Sequence, residues 1–209
     1  MGAVVTISAS FGAGGARVGR SVANQLGLPF FDRAVPAAVA ERLSVPIEEA
    51  LSQDERAPSA LTRLASMFAY VSMPFAGSPA ADIGMSDPDQ FRHETEKILH
   101  NIADTTGGVI LGRAGMVVLR DRPDVLRVRL DGPVEQRIAQ AARTENLSES
   151  AARVLQRDVD AAREAYAHVF YRAHQADPSL YQVILEATTL GDKICASAIV
   201  DIARLHLTD

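Results

Sequence analysis

The chain has 209 residues, 47% of them hydrophobic and 22% charged, and a net charge of −5 at pH 7. That length suits one domain, or one domain with an insertion, and is enough to bury a sizeable core. The acidic balance argues against a general affinity for nucleic acid, lone Cys195 excludes an internal disulfide, and the lack of a long apolar run or a signal-peptide pattern sets the expectation of a cytoplasmic protein with neither membrane nor nucleic-acid partner.

Val4-Val5-Thr6-Ile7 reads as a short buried strand, Gly12-Ala13-Gly14-Gly15 follows after four residues, and Val18, Val22 and Leu26 then recur at helical spacing. A strand, a glycine loop and a helix make an anion cradle, because glycine lets the backbone approach closely and the first helical amides point at the anion. The pattern G-x-x-x-x-G-K-[ST] is nonetheless incomplete: with Gly14 as its second glycine, Ala9 stands at the first, Gly15 at the lysine and Ala16 at the hydroxyl position. A second register, Gly14 to Ser21, would start the helix near Arg20 and leave an overlong connection. The dinucleotide pattern G-x-G-x-x-G fails at Arg17. The only lysines are Lys97 and Lys193, so phosphate contacts near the loop fall to arginine, Arg17 or Arg20, or to backbone amides. A loop reshaped around Gly14-Gly15 would require positive φ at Gly15.

Four further apolar runs predict strands: 28–31, 109–111, 125–130 and 182–185. Helical periodicity covers 34–43, 61–71, 90–104, 134–143, 148–173 and 193–205. This alternation predicts an α/β fold with a parallel sheet covered on both faces. The fourth strand alternates Leu126, Val128 and Leu130 with Arg127 and Arg129, which is polar for a central strand and suggests one open end or face. Met73–Asp89, rich in Pro and Gly, is expected to be a loop or insertion, either a plain linker or a substrate-closing segment.

Three groups could carry chemistry. Gly112-Arg113 lies just beyond a strand end, where open α/β sheets bind ligands, and a guanidinium suits phosphate. Arg157, Asp160 and Arg163 succeed one another at three-residue intervals on the helix that Ser148 is placed to cap, fitting either a solvated ion-pair row or a lid that closes over phosphates. Asp32 ends the second strand and could accept from a base or ribose, or cap the next helix. Arg113, Arg157 and Arg163 are expected to converge on the cleft of the loop, at least in a closed state. The five histidines show no metal-binding spacing.

Several segments in order resemble the cytidylate kinase-like group of nucleoside-monophosphate kinases: Thr6-Ile7-Ser8 with Gly12 to Gly15, Pro29 to Asp32, Val109 to Ala114, Leu126 to Leu130 with Arg137, Arg157 to Arg163, and Tyr181 to Leu185 with Leu190-Gly191. The resemblance implies a P-loop kinase fold, three-layer α/β/α with a five-stranded parallel sheet, a helical acceptor-binding insertion near 45–105 and a lid near 144–180, all within a single domain 1–209. It implies ATP and Mg²⁺ as cofactors and γ-phosphoryl transfer to a CMP-like nucleoside monophosphate. Gly12, Ala13, Gly14, Gly15, Ala16 and Arg17 would hold the donor; Asp32, Arg92 and Arg113 would face the acceptor; Arg157 and Arg163 would be lid arginines, with Asp160 orienting the acceptor or an arginine. True cytidylate kinases carry a loop lysine where Gly15 stands, a hydroxyl-bearing turn near Ala16 or Arg17 and usually an aspartate where Ala114 stands, while the kinase-like group often shares the double glycine; from that group the chain differs at Ala9, commonly arginine, and at Gln182, Glu186 and Ala187, near which an aspartate and an asparagine-threonine pair tend to stand. Two other functions stand beside the kinase: a nucleotide- or phosphate-binding regulatory module with little catalysis, and a kinase of another small metabolite. A homodimer is left open.

Overall fold

The computed structural model describes residues 3–32 and 88–206. The chain divides into two compact units, Met1–Arg33 with Glu96–Asp209, and Ala34–Thr95. The helices expected at 34–43 and 61–71, and nearly all of the expected Met73–Asp89 loop, lie outside the described residues; Pro88 and Asp89 open a helix.

The first unit holds five strands, β1 (Val4–Ala9), β2 (Phe30–Asp32), β3 (Gly108–Leu111), β4 (Val125–Asp131) and β5 (Val183–Glu186). They form one parallel sheet in the order β2-β3-β1-β4-β5. Central β1 is buried along its whole length, as a strand covered on both faces must be. On one face Val5, Ile7, Val109, Leu126, Val128 and Leu130 pack against Val18 and Val22 of helix α1 (Gly15–Leu26) and against Cys195, Ala196, Ile199 and Val200 of the last helix. On the other, Val4, Ile110 and Val125 meet Leu99, Ile102 and Ala103 of helix α2 (Pro88–Asp104) and Leu119. Each fully buried Val, Leu or Ile contributes about 1.5–3 kcal/mol, so these two clusters hold the sheet between its helical layers. Cys195 is core, with its thiol pushed up in pKa by burial, then by the nearby charges of Asp192 and Glu186.

The remaining helices are short α3 (Gly115–Val118), α4 (Val134–Glu145), α5 (Glu149–Tyr171) and α6 (Ala187–His206). Ser148 caps α5 by accepting from the Ala151 amide at 3.2 Å. Two boundaries shift from the sequence expectation for local reasons. Strand β2 starts at Phe30 rather than Leu28 because Gly27, at φ 67°, ends α1 and the Leu28 amide bonds back to Ala23 O at 2.9 Å. Helix α6 starts six residues early: the Glu186 carboxylate accepts from the amides of Thr188 and Thr189 at 3.1 and 3.3 Å, and the helix breaks at Gly191 before continuing. Among the described residues no helix is long and apolar enough to cross a membrane.

Candidate functional site

The loop between β1 and α1 is an irregular segment braced by side chains from β4, α4 and α5. Helix α1 begins at Gly15 with Gly14 as its N-cap, which excludes the register beginning at Arg20. The acceptors of the first half of the loop are taken up one after another. Arg163 on α5 donates to Ala9 O at 2.6 Å, Arg129 on β4 donates to Ser10 Oγ at 3.0 Å, Arg137 on α4 donates to Phe11 O at 2.8 Å, and Gln140 on α4 donates to Gly12 O at 2.9 Å. The Phe11 amide donates to Asp160 Oδ1 at 2.7 Å. Gly12 has φ 79°, and a Cβ there would collide with the carbonyl oxygen of Arg137, so only glycine fits against α4.

Arg137 is the centre of the brace. Its side chain is only 6% exposed and pairs with Asp160 Oδ2 at 2.7 Å while also donating to Gly132 O at 2.9 Å. A buried guanidinium needs such partners, since leaving it unpaired would cost several kcal/mol. Asp160 is filled in turn by Arg137, the Phe11 amide and Gln156 Nε2 at 2.9 Å. Neighbouring Arg129 pairs with Asp131 at 2.8 Å and sits over the Tyr181 ring; its Nη1 is buried with no partner among the described residues. Burial pushes the Asp131 carboxyl up, but the Gly132 amide, the Ser10 hydroxyl and Arg129 outweigh it and hold it below its ordinary value.

The second half of the loop differs. The amides of Gly14, Gly15, Ala16 and Arg17 have no partner among the described residues. They form the positive end of α1, a ready donor set for an anion. Gly14 has φ 78°, but Gly15 is helical, so the expected positive φ at Gly15 is corrected: its constraint is space, because a Cβ would lie 2.6 Å from Ala9 Cβ and 3.1 Å from Leu111 Cδ1. Small Ala9 and Gly15 are therefore one packing unit. Arg17 turns back over the loop, its Nη2 lying 3.0 Å from where a Gly14 Cβ would be, and it pairs with Asp192 at 2.5 Å.

Beyond β3 the backbone is left-handed at three successive residues, Gly112 (φ 77°), Arg113 (φ 63°) and Ala114 (φ 51°). For the two non-glycine residues this costs about 1–2 kcal/mol each, and such strain gathers at functional turns. The Arg113 charge lies close enough to Tyr166 on α5 to act on its hydroxyl, which burial pushes up in pKa against the opposing effects of Tyr171 and Arg113. Arg113 thus lies near α5, the helix that carries Arg163. Arg157 does not join them: its side chain is 75% exposed and pairs with Asp158. Asp32 stands at the end of β2 opposite Leu111 of β3. Arg92 is partly buried on the segment of α2 that belongs to the second unit.

The family model of the cytidylate kinase-like family matches residues 4–189. The chain belongs to that family. Two solved structures share the fold of this cytidylate kinase-like chain. One is an uncharacterized protein from Eubacterium ventriosum ATCC 27560, 14% identical, with TM-score 0.64 over 99% of this chain and 98% of that one. The other is a sugar kinase from Janibacter sp. HTCC2649 in unliganded form, 18% identical, with TM-score 0.53 over 100% of this chain and 98% of that one. At these identities the likeness is one of fold. No curated protein matches. Family and topology together establish a P-loop kinase-like fold, in which the glycine loop joins β1 to α1.

Arg129, Arg137, Gln140, Tyr166 and Asp192 went unassigned by sequence reasoning. For Arg137 a signal existed: it sits beside Ile138 and one turn from Ala141, on a helix face where the neighbours are buried. The positions that differ from the family have structural work here. Gln182 ties β5 to β4, accepting from the Arg127 amide at 2.8 Å, and Glu186 caps α6. Among the described residues no three His, Cys, Asp or Glu side chains gather as a metal site.

Proposed function

We propose that the protein is a nucleotide kinase that transfers the γ-phosphoryl group of ATP to a CMP-like nucleoside monophosphate. One observation carries the reading: in a chain of the cytidylate kinase-like family, the loop before α1 has its first-half acceptors tied down while four consecutive amides at the helix start stay unpartnered. Gly12 to Arg17 would take the donor phosphates on those amides. ATP would supply the transferable phosphoryl group, with Mg²⁺ carried largely on phosphate oxygens and water. Arg113 and Arg163 would hold the acceptor phosphate, with Asp32 toward its nucleoside. An acceptor phosphate oxygen is already ionised at neutral pH, so no general base is needed; the chain's contribution is positioning and charge neutralisation.

A second reading, a nucleotide-binding module with little turnover, is favoured by the packing of Gly15 against Ala9, which leaves no room for the usual lysine at that position. A panel of nucleoside monophosphates with ATP and Mg²⁺, assayed for ADP release alongside calorimetric binding, separates the two. Turnover with CMP or dCMP supports the kinase. ATP binding without turnover on any acceptor supports the module, and turnover on a non-nucleotide alcohol or phosphate moves the acceptor to another metabolite class. No nucleotide binding at millimolar concentration sinks both nucleotide readings.

A further inference from the structure

We infer that Arg17 performs the task of the absent loop lysine and that Asp192, on α6, is the positioning residue that aims it. This rests on the reading of the loop as a donor-phosphate cradle. Gly15 has no side chain, and the two lysines of the chain lie far along the sequence. Phosphoryl transfer still needs a fixed cation at the donor phosphates, because charge neutralisation is most of what the protein contributes.

Arg17 is a cation whose guanidinium is folded back over the loop. It stands on the first turn of α1, yet its Nη2 reaches to 3.0 Å from the Cβ position of Gly14. An arginine on a helix surface is ordinarily free to point into solvent, and holding it costs rotamer freedom. Asp192 supplies the hold. Its Oδ2 accepts from Arg17 Nε at 2.5 Å, and its Oδ1 accepts from Nη2 at 3.3 Å. Nη1 has no protein partner among the described residues and remains to donate to a ligand. Gly14 is what lets the pair approach, since a Cβ there would lie 2.5 Å from Asp192 Oδ1.

Asp192 owes its place to the backbone. It follows Gly191, where φ 77° and ψ 161° interrupt α6. The same break sits one turn beyond the Glu186 cap, so the end of β5, the kink and the loop form one chain of contacts. Arg17 and Asp192 are 40% and 35% exposed, so neither is a core residue whose loss would unfold the chain. Their geometry is that of a carboxylate orienting an arginine for an anion, with orientation set before the ligand arrives.

The test uses the full chain, with ATP and separately inorganic tripolyphosphate as probes, each titrated by calorimetry into wild type, Arg17→Ala, Arg17→Lys, Asp192→Asn and Asp192→Ala. Thermal unfolding of each variant is followed in parallel. Arg17→Ala is expected to weaken both probes about tenfold or more, the equivalent of one hydrogen bond to a charged group, with Arg17→Lys recovering part of the loss. Asp192→Ala and Asp192→Asn are expected to weaken both probes about threefold to tenfold without lowering the unfolding midpoint, because the arginine must then be ordered by the ligand. Equal affinity in wild type and Arg17→Ala overturns the inference while leaving the nucleotide reading standing. Tighter binding in Asp192→Asn also overturns it, since the carboxylate would then be a competitor of the phosphate. Absence of binding to either probe in wild type overturns the nucleotide reading and, with it, this inference.

Discussion

The two halves of the loop between β1 and α1 obey opposite rules. From Ala9 to Gly12 every carbonyl or hydroxyl acceptor named above receives a side chain from β4, α4 or α5, and the Phe11 amide is spent on Asp160. From Gly14 to Arg17 the amides are left without partners among the described residues. The contrast teaches how a protein makes a receptive surface: one half of the turn is over-determined so that the other half can keep its polar groups uncommitted. Unpaired donors at a helix start are tolerable where solvent or an anion can serve them, whereas the first-half acceptors are served by protein side chains.

The contrast can be broken most severely at Arg137. Arg137→Met removes the guanidinium that joins Phe11 O, Gly132 O and Asp160, and leaves a carboxylate without its partner; unfolding free energy is expected to fall by about 3–5 kcal/mol in denaturant titrations. Gly15→Lys tests the packing of the second half. The side chain adds the cation that ordinary loops use, but its Cβ must enter the space of Ala9 and Leu111, so stability is expected to fall by about 1–3 kcal/mol with no gain in ATP affinity; unfolding and calorimetry on the same variant check both.

Acid probes the edge of the brace. Asp131 has a folded-state pKa below its ordinary 3.8, so its stabilisation is present above that value and is lost as pH falls through it toward the lower folded value. Asp131→Asn is expected to flatten the stability profile below about pH 4 while changing neutral stability by less than about 1 kcal/mol, since the carboxylate is partly screened by solvent. Smallest of all, Arg157→Ala should alter unfolding free energy by no more than about 0.5 kcal/mol, because its side chain is 75% exposed and its ion pair among the described residues is with Asp158 at the surface. A larger loss would mean that the first half of the loop draws on more of α5 than Asp160 and Arg163.

The second half of the loop was the more legible one. Val4 to Ile7, the glycines and the spacing of Val18 and Val22 are local signals, and they place the strand, the turn and the helix within a residue or so of where they stand. The brace was less legible: Asp160 was read only as a residue that orients the acceptor or an arginine, while Arg137 and Gln140 lie more than a hundred residues along the chain from the loop they hold, and periodicity reports a buried face without naming what it faces. The row of Arg157, Asp160 and Arg163 shows the limit of spacing alone. Steps of three turn about 60° short of a full circle, so the first and last arginines are about 120° apart on the helix, enough to put one on solvent and the other on Ala9 O. Arg127 and Arg129 looked like the mark of an open strand. They instead bury their stems and find acceptors at Leu180 O, Arg120 O and Asp131, which lets a strand second from the edge of the described sheet carry charge.

The Phe11 amide offers a clock. Its acceptor is a carboxylate on α5, not another backbone group of the same turn, so the proton is shielded only while that helix is in place. Deuterium uptake at this one position therefore counts departures of α5, even when the sheet beneath stays intact. Addition of a ligand that pins the helix would slow that uptake selectively, and a resonance from residue 11 would register the event long before any change in overall fold could be measured.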